Sequence, residues 1–349
     1  MSSKTMRGVY AVWAWLVVVA AVLAGCASPT PTTAPTQPPS PTDVQSTAAP
    51  ASGFVLADRI VKKVQAGEPL VIRVSYHDVS NEFAPQIKAG VDQAAQELGV
   101  DAAMIGPTGA NADQQISELE SLIDAGKVDG LAISSVSTDA LAPVIDKALA
   151  AGIPVITFNT DNPRSDRLAF VGQDLVGSGR IAGDLMAEKL GQQGKVIITT
   201  LDAAAQWSLD REAGAREALA KYPGITVVTT VNTGTEPQAI YSAIENAMLA
   251  NPDVTGILSL ECCSTPAAGD WADRNGQKGQ VTIVGFDLLP KTLQYIESGV
   301  IAATIGQGPE KQGYEAVRLT LEALQGRAVQ GVDTGAEIVD GANIDKYVK

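Results

Sequence analysis

Short apolar runs rich in β-branched residues alternate with amphipathic stretches from residue 70 to residue 305, and few architectures accommodate that alternation. The strand-like runs fall at 70–76, 102–105, 130–134, 155–158 and 168–171, then again at 196–200, 225–231, 256–260, 281–286 and 302–305. They are apolar on both faces, as strands must be when helices cover both sides of a sheet. Helix-period segments such as 83–98, 113–125, 140–151, 178–190 and 239–250 lie between them. Gly99, Gly126, Gly152 and Gly191 stand where helix C-terminal caps are expected. The pattern predicts an α/β protein, and two sets of five strands predict two similar doubly wound parallel-sheet lobes. An amphipathic segment at 55–66 precedes the first strand and stands outside the repeat.

In such sheets a ligand binds beyond the carboxyl ends of the strands, so the residues there carry the functional reading. His77, Asn81 and Phe83 follow the first strand; Asn81 reads equally as a helix cap or a ligand contact, and His77 as a hydrogen-bonding group without a paired nucleophile. Asn159 and Asp161 follow the fourth strand in a polar cluster that Pro163 forces out of any continuing strand. Trp207 and Arg211 fall in what reads as a polar loop after the sixth strand, where an indole could stack on the apolar face of a sugar. The guanidinium of Arg211 offers a fork of donors that stays charged. Asp287 and Gln307 follow the ninth and tenth strands, and carboxylate and amide side chains suit paired hydrogen bonds to adjacent hydroxyls. Acids, amides, one Arg and an aromatic plate at successive strand ends describe a polyol-binding cleft.

The start of the chain sets the compartment. Lys4 and Arg7 precede an apolar run at 9–23, which ends in Leu23, Ala24, Gly25 and Cys26. A charged start, an apolar core and small residues mark a cleaved export signal over 1–25, shorter than a secure membrane span. The Leu-Ala-Gly-Cys ending resembles the lipobox of bacterial lipoproteins, which implies cleavage before Cys26 and acylation of its thiol, a tether to the lipid bilayer. Residues 26–52 are Pro, Thr, Ser, Ala and Gln-rich and read as a spacer.

Removing Lys4 and Arg7 with the signal takes the formal charge from −14 to −16, a surface that repels nucleic acid. One His and only Cys262 and Cys263 after Cys26 leave no cluster for zinc or haem, so no metal or cofactor is expected.

From about residue 71 to 326 the chain resembles the type I periplasmic sugar-binding proteins, the ribose and galactose receptors of ABC importers. The stretches that carry the likeness are Ile153-Pro154-Val155-Ile156-Thr157-Phe158-Asn159, Val284-Gly285-Phe286-Asp287 and Ala302-Ala303-Thr304-Ile305-Gly306-Gln307. The resemblance implies sugar contacts at Asn81, Asn159, Arg211, Asp287 and Gln307, with Phe83 packing on the sugar. It implies an N-terminal lobe of 53–173 plus about 308–333 and a C-terminal lobe of 174–307 plus about 334–349. The crossings are expected near Gln173 and Asp174, Gln307 and Gly308, and Asp333, with Gln173 counted among the site residues. Ala84 replaces a second aromatic, for which Trp207 is a candidate substitute. Glu261, Cys262 and Cys263 stand where the family shows an Asn-Asp pair, and the two thiols read either as a vicinal disulfide facing the cleft or as small buried thiols.

The expected activity is that of a monomeric, non-enzymatic receptor that binds a monosaccharide or polyol between its lobes and delivers it to an ABC permease. The alternative is a sensor component presenting its ligand to a membrane receptor. A glycoside-acting enzyme would need two carboxylates flanking the scissile bond, and a DNA-binding repressor would need a basic helix-turn-helix segment that the chain lacks.

Overall fold

The computed structural model describes residues 53–348; the export signal, Cys26 and the spacer read from the sequence lie outside them. The elements run α1 (Asp58–Ala66), β1 (Val71–Ser75), α2 (Ala84–Leu98), β2 (Asp101–Ile105), α3 (Ala112–Asp124), β3 (Gly130–Ile133), α4 (Thr138–Ala150), β4 (Val155–Phe158), β5 (Ala169–Gly172) and α5 (Leu175–Lys189). They continue with β6 (Gly194–Thr200), α6 (Gln206–Leu219), β7 (Ile225–Asn232), α7 (Pro237–Ala250), β8 (Gly256–Ser259), α8 (Ser264–Arg274), β9 (Thr282–Phe286), α9 (Pro290–Glu297), β10 (Ala303–Gly306), α10 (Pro309–Leu324), β11 (Val332–Asp333) and β12 (Glu337–Asp340).

Two six-stranded sheets result, ordered β11-β5-β4-β3-β1-β2 and β12-β10-β9-β8-β6-β7. The orders match strand for strand, and all pairings are parallel except β10 with β12. Central strands β3, β4 and β8 are buried at every residue, whereas the edge strands β2 and β7 stay partly exposed. All ten runs read from the sequence are strands. The short pairs β11 and β12 carry no such signal, because each is fixed by its place beside β5 or β10 rather than by an apolar run. The chain passes between the sheets three times: between β5 and α5, between β10 and α10, and between β11 and β12.

Helix packing is close where small residues permit it. A Cβ on Gly90 of α2 would lie 1.9 Å from the Glu310 carbonyl oxygen of α10, and one on Gly179 of α5 would lie 2.2 Å from that of Arg211 in α6.

The segment outside the repeat is α1, docked on the N-terminal lobe. Asp129, buried beside β3, accepts from Arg59 Nη1 at 2.7 Å, Lys63 Nζ at 2.5 Å and the Val71 amide at 2.9 Å. Replacing it with Ala releases both cations and leaves that amide without its acceptor, so Asp129→Ala is expected to cost about 2 kcal/mol in urea unfolding. A loss under about 0.5 kcal/mol, the usual range for a surface substitution, would show that α1 is held by apolar contact alone.

Candidate functional site

The carboxyl ends of β1, β4, β6, β8, β9 and β10 converge on one narrow cavity of about 40 Å³ between the sheets. Of the residues singled out in the sequence, His77, Asn81, Phe83, Asn159, Trp207, Arg211, Glu261, Cys262, Asp287 and Gln307 line it. A larger depression of about 640 Å³ opens on the C-terminal lobe, but its polar side chains Asp184, Glu188, Gln192 and Tyr222 are exposed or half-buried. Buried polar groups facing a cavity are the stronger mark of a small-molecule site.

Asn159 and Asp287 hold equivalent places in the two lobes. Each follows its lobe's fourth strand, each has left-handed backbone (φ 58° and 70°), and each amide donates to the next strand, Asn159 to Val171 O and Asp287 to Ile305 O, both at 2.9 Å. Asn and Asp tolerate this conformation better than other side-chain-bearing residues, and the kink ends the strand with the side chain at its carboxyl end. A hydrogen-bonded chain joins them: Asn159 Nδ2 donates to Gln312 Oε1 at 3.0 Å, Gln312 Nε2 to the Gln307 carbonyl at 2.9 Å, and Gln307 Nε2 to Asp287 Oδ1 at 2.9 Å. Gln312 is fully buried in α10, and its sequence context gives no sign of this role.

Arg211 projects from α6, not from a loop. The stretch that reads as polar loop is the first turns of α6, with Trp207, Ser208 and Arg211 all buried. The Arg211 guanidinium lies 4.1 Å over the Phe286 ring, its Nη1 donates to Leu260 O at 2.9 Å and its Nη2 to Gln173 Oε1 at 3.2 Å. Its buried Nε has no hydrogen-bond partner among the described residues. An unpaired buried donor is costly, and a ligand oxygen would satisfy it.

Trp207 stacks on His77 across the lobes, with ring centroids 4.4 Å apart and planes 17° from parallel. One indole face is therefore covered by imidazole. His77 Nδ1 lies 2.7 Å from Ser134 Oγ, so the imidazole has a partner and the hydrogen-bonding reading applies. The mouth is also bridged by the Gln206 amide, which donates to Val136 O at 3.2 Å. Asn81 acts as a cap, its Oδ1 accepting from the Phe83 and Ala84 amides at 3.1 and 3.0 Å, and it also reaches the cavity.

Three expected site residues lie off the cavity. Asp161 is turned away because its carboxylate is taken by Arg167, the Thr157 hydroxyl and the Asn162 amide. Gln173 is a hinge clamp, its Nε2 donating to Gly335 O at 2.9 Å and Gly306 O at 3.3 Å while its Oε1 holds Arg211. Cys263 is half-buried behind Cys262, with both thiols free. Conversely, Tyr76, Thr160, Leu175 and Leu201 line the cavity without having been singled out for the site.

Burial pushes the Asp287 carboxyl up to about 6, against the opposing pull of Arg211 and Gln307. Burial likewise lowers His77 to about 4 and raises Glu261. The shifts of Asp287 and His77 oppose each other in stability. The Asp287 contribution is full below about pH 4 and lost as pH rises through 6, whereas that of His77 is full above about 6.5 and lost as pH falls through 4.

Two matching α/β lobes around a cleft of buried donors and acceptors define a solute-binding protein. Residues 72–328 match the family model of the periplasmic binding protein domain. The chain belongs to that family of periplasmic binding proteins, solute receptors rather than enzymes. Among curated relatives, the xylose/arabinose-binding protein XylF of Sulfolobus acidocaldarius is 27% identical over 78% of this chain and 71% of its own length. The ribose import binding protein RbsB of Salmonella typhimurium is 26% identical over 80% and 92%. Among solved structures, a solute-binding protein of an ABC transporter from Burkholderia graminis in complex with D-arabinose superposes with a TM-score of 0.76 at 29% identity, over 80% of this chain and 98% of that one.

Proposed function

We propose that this protein is an extracytoplasmic receptor, tethered through acylated Cys26, that binds a monosaccharide or polyol in the interlobe cleft and delivers it to an ABC permease. The observation that carries the reading is the buried, unpartnered Nε of Arg211, near the Asp287 carboxylate in the cavity between the lobes. A sugar hydroxyl is both donor and acceptor, so neighbouring hydroxyls can give to Asp287 and take from Arg211 at once. Hydroxyls held from both lobes favour the closed form by differential affinity. Relatives named for ribose, xylose and arabinose support a pentose as the first candidate.

A thermal-shift screen of pentoses, hexoses and polyols tests the ligand class. A sugar at a hundred times its Kd adds about 2.7 kcal/mol, a rise of about 5 °C for a chain of this size. If no sugar or polyol shifts the melting temperature and another solute class does, the reading fails. Tethering is tested on membrane-extracted protein: an acylated N-terminal Cys26 is expected, and a retained Met1 or a free Cys26 thiol would contradict it. Delivery is tested by uptake of labelled sugar, which should fall when the chain is deleted; unchanged uptake contradicts it.

Sugar binding is also expected to depend on pH. If hydroxyls donate to ionised Asp287, sugar binding weakens as that carboxyl takes up a proton. With its value at about 6 in the free protein, Kd should rise about tenfold between pH 7 and pH 5. His77 stays largely neutral over that range and Arg211 charged, burial holds Tyr76 and the Cys263 contact holds Cys262 protonated, and Glu261 is the other carboxyl facing the cleft. Asp287→Asn should flatten the profile; an unchanged slope in that variant would move the effect to Glu261.

A further inference from the structure

We propose that Cys262 and Cys263 form a reversible thiol–disulfide site in the wall of the ligand cleft, closed by small-molecule disulfides and reopened by thiols. The two Sγ atoms lie 3.1 Å apart, and closing a bond of about 2.05 Å requires an approach of about 1 Å. No other cysteine competes among the described residues.

The position gives the pair a consequence. Cys262 is buried, lines the cavity and packs in one apolar cluster with the N-terminal lobe's core. Ala205, Trp207 and Leu289, which come from the other lobe, share that cluster. Cys263 packs against this cluster and also against the C-terminal lobe's own core. The dithiol therefore sits where the lobes meet. Glu261 beside it is engaged as a helix cap, its carboxylate accepting from the Cys263 amide at 2.6 Å and the Ser264 amide at 3.0 Å, which anchors the start of α8 and both sulfurs.

Chemically, the half-buried Cys263 is the entry point. Its thiolate attacks one sulfur of a disulfide RSSR, forming a mixed disulfide and releasing RS⁻, which takes the proton that Cys263 lost. The Cys262 sulfur then attacks Cys263 Sγ, the mixed bond breaks, and a second RSH leaves with the Cys262 proton. Two S–H bonds of the protein are oxidised and one S–S bond of the reagent is reduced to two thiols. Hydrogen-bonded to the Cys263 sulfur and buried among acidic neighbours, Cys262 is a weak acid, its ionisation held well above the usual thiol range, so it reacts second. The eight-membered ring is strained, which makes it easily reduced rather than a permanent staple. Closing it removes two S–H donors and leaves an apolar plate beside Trp207.

The test exposes the full-length protein to oxidised glutathione, then alkylates and digests it. The peptide holding both cysteines should be lighter by two hydrogens and take no alkyl group, and after dithiothreitol it should take two. Two alkylated cysteines after the oxidant, or a stable glutathione adduct in place of the ring, overturns the proposal. Peptide mapping keeps Cys26 out of the reading. Cys263→Ser, altered at the half-buried position, should form no ring. A second arm rests on the sugar reading: Kd for the stabilising sugar should differ roughly tenfold between oxidised and reduced protein and be indifferent to redox state in Cys263→Ser. Equal affinities in the two forms would overturn the coupling to the cleft. Because the mass arm needs no sugar, failure of the sugar reading leaves the thiol–disulfide site decided on its own.

Discussion

Arg211→Met is expected to weaken sugar binding by about 3 kcal/mol or more, roughly a hundredfold, because a buried charged donor to the ligand is lost and its carboxylate neighbour is left alone. Met keeps much of the volume over the Phe286 ring but none of the five N–H donors. Leu260 O and Gln173 Oε1 lose their donor, so the hinge clamp loosens as well. The Arg211 charge also restrains the Asp287 carboxyl, which should protonate more readily in the variant. Arg211→Lys retains charge without the planar fork and should recover only part of the loss. Titration calorimetry reads both variants; Arg211→Met within about threefold of the parent would remove Arg211 from the site.

Asp287→Asn should cost about 2 kcal/mol of sugar affinity, roughly thirtyfold, while leaving the unliganded protein as stable as before or more so at neutral pH. Both halves follow from burial. The carboxylate is held ionised in the interior against its own desolvation, on the order of 3 kcal/mol from its upward shift, so neutralising it relieves the empty protein. Asn also accepts the left-handed backbone at φ 70°, which Ala would take with more strain. A ligand hydroxyl meets a weaker acceptor, and an amide can direct its donor end at Arg211. Loss of affinity together with loss of melting temperature would mark Asp287 as a structural residue instead.

The sequence exposes most of the fold because central strands of a covered sheet are apolar throughout, so runs such as Val155–Phe158 announce themselves. It exposes the residue types at strand ends for the same reason, since Asn159 and Asp287 interrupt apolar runs. Their left-handed backbone is invisible there, and it is what turns them at the strand end. Polar character misleads at Gln206-Trp207-Ser208, which reads as loop yet forms a helix start buried between the lobes. Asp161 looks like its neighbour Asn159 on paper, but Arg167 claims its carboxylate, a pairing that spacing alone does not reveal. Gln173 and Gln312 take their roles from contacts to residues more than 130 positions away. Such long-range partners meet only once α10 has packed back on the N-terminal sheet and the chain has crossed at the hinge.

The most direct test of the central claim is titration calorimetry of the protein with D-arabinose, D-xylose, D-ribose and xylitol at pH 7. One saturable site per chain, abolished or strongly weakened by Arg211→Met, is the predicted result. Absence of saturable heat with these and with hexoses, alongside one-site binding of an amino acid or another non-sugar solute, would contradict the account.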